Sequence, residues 1–190
     1  MEKVLEQVQY FATEAHGNQR RKFADEPYVA HLNRVMLTCR DYLPQIEVLA
    51  AALLHDVLED TAVRKDQIRL FLEPYFSPKE VTKILMLVEE LTDVYTHDRY
   101  PSWNRRKRKT KEAERIAQTS AEALTIKYAD IIDNCRDILN AEPEFAWKFL
   151  HECRQLIQVM TRGNRELYGL ARTIVEKQLQ LAQVPGRQHS

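Results

Sequence analysis

Glycine is scarce in this 190-residue chain, with four positions, and proline occurs seven times. So few turn residues, among abundant Leu, Ala, Glu, Lys, Arg and Gln, argue against a fold of many short strands and for an all-α one. Cysteine is limited to Cys39, Cys135 and Cys153, widely spaced and without a C-x-x-C pair. That excludes a disulfide framework or a zinc knuckle and fits a reducing cytoplasm. A long apolar run is missing, and charge alternates from Glu2 and Lys3 onward, so neither a membrane span nor a signal peptide is expected. Net charge is missing too: 28 Lys plus Arg balance 28 Asp plus Glu, with no bias toward nucleic acid or an anionic membrane. There is no internal repeat. What remains is a 44% hydrophobic chain long enough to bury one core. The expectation is one cytoplasmic domain over residues 1–184 and a disordered tail at 185–190.

The most informative stretch runs from Ile46 to Thr61. Residues up to Leu54 are apolar at nearly every helical position, so this helix has no solvent face and belongs in the interior. It ends in His55 and Asp56, followed by Glu59 and Asp60. Charges carried into a core need partners, and a divalent cation is a common one. If the helix continues, Glu59 lies four residues after His55 and Asp60 four after Asp56, so all four project toward one region.

Around this centre the pattern predicts further helices. Val4, Leu5, Val8, Phe11, Ala12 and Ala15 mark an amphipathic helix over 2–16, ended by Gly17. A polar loop carries Arg20, Arg21 and Lys22, and a helix from His31 to about Arg40 turns Leu32, Val35 and Met36 inward. Pro44 introduces the central helix. A short helix is predicted over 64–72. Ser77-Pro78-Lys79-Glu80 is a capping box opening a helix to Leu91, whose end at Glu89-Glu90 reads as solvated acid. Arg105 to Lys109 is the densest basic run, either a solvated helix face or an attractor of an anionic nucleotide; it is too short for a nucleic-acid site. Ser120 caps a largely buried helix to about Leu139, on which Lys127, Asp130 and Asn134 share one face. Pro143 starts the last helical region, and Gly163-Asn164 interrupts it before a helix from 165 to 182. Trp147 and Tyr168 read as packing residues.

An adjacent His-Asp pair ending a buried helix resembles the HD metal-dependent phosphohydrolases. The string from Ala52 to Thr61 resembles one branch, the hydrolase domain of the RelA/SpoT alarmone enzymes. His16, Gln19, Arg21-Lys22, Pro27-Tyr28 and His31 resemble the opening of that domain, and Ile126 to Asp137 resembles its K-x-A-D-x-x-x-N-x-R stretch. Leu32 stands where Pro is usual, and Asp133 where an aromatic residue or His is usual. The likeness spans His16 to Arg136 and extends, thinned, to Leu170.

The resemblance implies a multi-helix HD bundle around the central helix, with His31, His55, Asp56 and Asp130 as ligands of Mn²⁺, although this donor set also accepts other divalent transition metals. It implies that Glu59 orients or deprotonates the attacking water with Asp60 assisting, that Arg21 and Lys22 face phosphates, that Asn134 holds substrate or water, and that Lys127 supports Asp130. The length leaves no room for the family's synthetase domain, so a stand-alone alarmone hydrolase is expected. It would remove the 3′-pyrophosphate of guanosine 3′,5′-bis(diphosphate) (ppGpp) or pppGpp to give GDP or GTP. The alternatives are an HD phosphatase acting on another nucleotide, such as the 2′-phosphate of NADPH, and a non-catalytic nucleotide-binding module. Partners are then a guanine nucleotide, with no nucleic acid and no membrane; oligomeric state is not legible in the residues.

Overall fold

A computed structural model describes residues 2–182. Among them the chain forms helices α1 (Glu2–His16), α2 (Tyr28–Arg40), α3 (Ile46–Leu54), α4 (Val57–Asp60), α5 (Lys65–Leu72), α6 (Pro78–Leu91), α7 (Arg105–Ile116), α8 (Ala121–Ala141), α9 (Pro143–Val159) and α10 (Arg165–Ala182), and no strand. The all-α expectation holds. The tail expected to be disordered at 185–190 lies outside the described residues.

Helix α3 occupies the centre, in contact with α1, α2, α6 and α8. Val48 through Leu54 are all fully buried, as a helix without a polar face requires. Each large aliphatic side chain on it contributes about 1.5–3 kcal/mol by leaving water. Helix α10 packs on α8 and α9 and closes the far side. No helix of the described residues is long and apolar enough to cross a membrane.

Most boundaries follow their local signals. Gly17 takes a left-handed conformation (φ 52°) and donates its N–H to the Thr13 carbonyl at 2.9 Å, ending α1. Ser77 and Glu80 exchange the bonds of a capping box at the start of α6. Helix α2 starts at Tyr28, three residues before the expected His31. Pro27 stands at its N-cap without a side-chain cap bond, so no Ser, Thr, Asn or Asp marks the start.

The central helix departs most from expectation. It stops at Leu54, Asp56 adopts φ −101° and ψ −3°, and helix resumes as the single turn α4. The His55 ring explains the stop: its Nδ1 lies 2.8 Å from the Ala52 carbonyl and takes up an acceptor that helix ends leave open. Uninterrupted helical spacing therefore does not set the relation of Glu59 and Asp60 to His55 and Asp56. Trp147, expected as a core or packing residue, is 51% exposed and packs only locally, its ring tilted 50° to that of His151 with centroids 4.1 Å apart.

The turn between α9 and α10 depends on glycine. The buried Tyr128 hydroxyl donates to the Met160 carbonyl and accepts the Gly163 N–H at 3.3 Å. A Cβ on Gly163 would stand 2.5 Å from Tyr128 Cε2 and 3.1 Å from the Thr125 nitrogen. Neither neighbour can retreat easily, because the ring is enclosed and the nitrogen belongs to α8. Gly163→Ala should therefore cost about 1–3 kcal/mol as overpacking does. Urea unfolding measures this, and an unchanged midpoint would show that the ring gives way.

Candidate active site

Four donors expected from the sequence meet at the C-terminal end of α3. His31 comes from the first turn of α2, His55 and Asp56 from the break after α3, and Asp130 from the middle of α8. His55 Nε2 lies 3.0 Å from Asp56 Oδ2 and 3.9 Å from Asp130 Oδ1. His31 Nε2 lies 3.3 Å from Asp130 Oδ1 and 3.7 Å from Asp56 Oδ2. Two imidazole nitrogens and one Asp56 oxygen fall within 4.8 Å of one another, a spacing able to hold a metal ion.

The rings are aimed by their other nitrogens. His55 Nδ1 donates to the Ala52 carbonyl, and His31 Nδ1 lies 2.8 Å from Asp133 Oδ2, an acceptor in its ionised form. Both Nε2 atoms are thereby left for a ligand. The donor set fits a divalent cation on a further observation: His55 Nε2 is buried and has no aligned hydrogen-bond partner, although Asp56 is close. Asp56 Oδ2 also accepts from the Tyr28 hydroxyl at 2.7 Å, and Asp130 Oδ2 pairs with Lys127 Nζ at 2.8 Å. Asn134 Nδ2 donates to Asp130 Oδ1 at 2.6 Å.

Burial works against charged imidazoles here, yet the surrounding carboxylates outweigh it. Asp130, Asp133 and Asp56 hold His31 up at about 11, and Asp56 and Asp130 hold His55 up at about 9. Burial likewise opposes ionised Asp56 and Asp130, but their cationic neighbours keep both well below the usual carboxylate range.

Glu59 and Asp60 follow on α4. The Glu59 residue keeps an open edge, but the protein around its carboxylate strips hydration and the Asp93 carboxylate repels it, pushing its pKa up to about 7. Its Oε2 accepts the Asp93 N–H at 3.0 Å. Asp60 Oδ2 accepts from Gln19 Nε2 at 3.2 Å, while Gln19 Oε1 lies 2.8 Å from His16 Nδ1. The loop at Asp93 is held from the other side by α7: Glu112 Oε2 accepts the N–H groups of Val94 and Tyr95, both at 2.9 Å, and Lys109 reaches Asp93 at 3.0 Å.

A cavity of about 610 Å³, large enough for a nucleotide, opens between α7, α8 and α9. Lys127, Asp130 and Asn134 form its inner wall, and Arg105, Arg106 and Lys109 line one flank.

Arg21 and Lys22 point to different places. Arg21 is buried, paired with Asp133, and donates to Asn134 Oδ1 at 3.2 Å. Lys22 is exposed, and its Nζ lies 4.7 Å from the centroid of the Phe145 ring. Arg105 covers that same ring at 5.2 Å, and Lys22 Nζ lies 3.9 Å from Glu142 Oε1. Two of the five charges of the basic run are neutralised: Arg105 binds Glu152 through two bonds of 2.7 Å, and Lys109 binds Asp93. Glu90 is not a simple solvated acid; it accepts the Ser120 backbone N–H at 3.1 Å.

Arg34 and Asp93 were not singled out from the sequence, and Tyr28 entered only as part of the Pro27-Tyr28 pair, without a role. A signal existed for Asp133, a second carboxylate three residues after Asp130 on the buried face of α8. Its partners, Arg34 at 2.6 Å and Arg21, lie about a hundred residues away in the chain, beyond any periodicity.

Comparison with known proteins agrees with this geometry. Residues 9–165 match the family model described as "HD domain". The chain is 38% identical over 139 residues to the guanosine-3′,5′-bis(diphosphate) 3′-pyrophosphohydrolase MESH1 of Drosophila melanogaster, covering 72% of this chain and 69% of that protein. It is 32% identical over 166 residues to the Homo sapiens protein of the same name, covering 83% and 84%. A solved structure described as a metazoan ortholog of SpoT that hydrolyzes ppGpp superimposes with a TM-score of 0.75 at 27% identity, covering 92% of this chain and 94% of the other.

The raised histidines carry a measurable consequence. The neighbouring carboxylates favour protonated imidazoles, so a cation that takes both Nε2 atoms displaces protons. Binding of a divalent cation such as Mn²⁺ should release about two protons and tighten as pH rises through about 9 and on toward about 11. Calorimetry in buffers of different ionisation enthalpy counts them; a heat independent of buffer would place the ion elsewhere.

Proposed function

This chain belongs to the HD-domain family, in its guanosine-3′,5′-bis(diphosphate) 3′-pyrophosphohydrolase branch, and from that premise we propose that it hydrolyses ppGpp or pppGpp to GDP or GTP and pyrophosphate with Mn²⁺ as cofactor. The observation that carries the reading is the meeting of His31, His55, Asp56 and Asp130 beside a nucleotide-sized cavity.

The two Nε2 atoms, Asp56 Oδ2 and Asp130 Oδ1 would hold the ion. An imidazole and carboxylate set without thiolate suits several divalent metals, and the family resemblance selects Mn²⁺ among them. Bound there, it would lower the pKa of a water and polarise a phosphoryl oxygen.

The chain's own residues supply the remainder. Glu59 Oε2 is tied to the Asp93 N–H, which leaves Oε1 to take the proton from the attacking water, and a pKa near 7 suits that task at neutral pH. Asp60, held by Gln19, assists by orienting the water. The water oxygen bonds to the phosphorus carried by the 3′ oxygen, the bond from that phosphorus to the 3′ oxygen breaks, and the leaving 3′ oxygen takes up the proton that Glu59 removed from the water. Lys22, exposed and only loosely held by Glu142, offsets phosphate charge, and Arg21 acts from beneath through Asn134, which contacts the substrate or the water. Lys127 steadies Asp130 as an ionised ligand.

Purified protein with Mn²⁺ should release pyrophosphate from ppGpp and leave GDP, and a chelator should stop it. Glu59→Gln should lower kcat by about 10²–10⁴-fold, the usual worth of a general base, while Mn²⁺ binding persists. Intact ppGpp after prolonged incubation overturns the reading. Phosphate released from NADPH instead would point to the phosphatase alternative, and nucleotide binding without turnover to a non-catalytic module.

A further inference from the structure

We infer that Asp133 is a positioning residue for the reaction: it fixes His31 with Nε2 toward the metal site, and it is itself held by Arg21 and Arg34. The inference rests on His31 as a metal ligand and extends that reading to a residue outside the ligand set.

Asp133 is buried on α8, one turn from Asp130. Its Oδ2 accepts from His31 Nδ1 at 2.8 Å, from Arg34 Nη2 at 3.1 Å and from Arg21 Nη1; its Oδ1 accepts from Arg34 Nε at 2.6 Å. Arg34 sits one turn after His31 on α2 and continues to Glu26 with bonds of 2.9 and 2.5 Å. Two guanidinium groups thus hold one carboxylate against one imidazole nitrogen. An ionised carboxylate only accepts, so the shared proton resides on Nδ1 and the lone pair falls on Nε2. Contact with the anion also makes that lone pair a better donor. Asp133 is one of the two positions, with Leu32, where the chain departs from the family pattern, here an aromatic residue or His. A neutral side chain there can orient the ring but supplies no negative charge. Arg34 and Glu26 give the added charge its counterweight, so the departure is built into its surroundings.

Asp133→Asn keeps the shape and removes the charge. Mn²⁺ affinity, measured by competition with a chelating dye in the absence of nucleotide, should weaken about 10–100-fold, with most of kcat returning at saturating Mn²⁺. Unchanged affinity overturns the inference. Arg34 keeps its bonds to Glu26, but buried Arg21 left without its carboxylate could mimic the effect, so the double variant Asp133→Asn/Arg21→Gln is decisive. If Asp133 acts on His31 the double variant stays weak; recovery of wild-type affinity assigns the loss to Arg21 and overturns the inference. One measurement needs no variant. In wild-type protein loaded with diamagnetic Zn²⁺, imidazole ¹⁵N spectra should show His31 as the Nδ1–H form, and the opposite tautomer overturns the inference. Wild-type protein that binds no Mn²⁺ sinks the ligand reading itself, and its signature is distinct from a defect confined to the Asp133 variants.

Discussion

Burying charge at the end of an apolar helix is the constraint on which this molecule depends. Helix α3 carries His55 and Asp56 into a region of low polarity, and an unpaired charge there would be expensive. The protein answers with groups of alternating character. Asp130 is met by Lys127 and Asn134, His31 by Asp133, Asp133 by Arg21 and Arg34, and Arg34 by Glu26. Each link satisfies the one before it, and the last reaches a partly exposed glutamate. Isolated ion pairs of this kind often fail to repay their desolvation. A chain that ends near water, around a site able to take a cation, serves chemistry more than stability.

The helices explain why the donors converge. The stop at His55 lets two neighbouring residues face the same point, which a straight helix would not do for adjacent positions. Helix α8 contributes by register: Asp130 lies three residues after Lys127, and Asp133 and Asn134 three and four after Asp130, so one helix carries a candidate ligand, its counter-ion and the carboxylate set against His31. Helix α2 repeats the device with His31 and Arg34. The relatives described as ppGpp hydrolases cover most of this chain, so the similarity takes in the scaffold as well as the donors.

Much of this was legible in the residues. A helix apolar on every side has one stable location, and an adjacent His-Asp at its end already suggested where a cation would be held. Capping signals at Ser77 and Ser120, the left-handed Gly17 and the break at Gly163-Asn164 gave boundaries close to those observed. What escaped was interaction between distant positions. Nothing local ties Asp133 to Arg21 or Tyr28 to Asp56, and nothing local tells that Arg21 is turned inward while Lys22 faces out. The interruption after Leu54 was hidden for another reason: a histidine ring competing for a helix-end carbonyl leaves no mark in hydrophobic periodicity.

The short backbone stretch 93–95 has a mechanical meaning. Glu112 of α7 grips it through two amides, Lys109 of the same helix holds the Asp93 carboxylate, and the Asp93 amide holds Glu59. Three hydrogen bonds and one ion pair therefore join the flank of the cavity to the Glu59 carboxylate. A guest that pushed α7 outward would pull on Glu59 through those bonds.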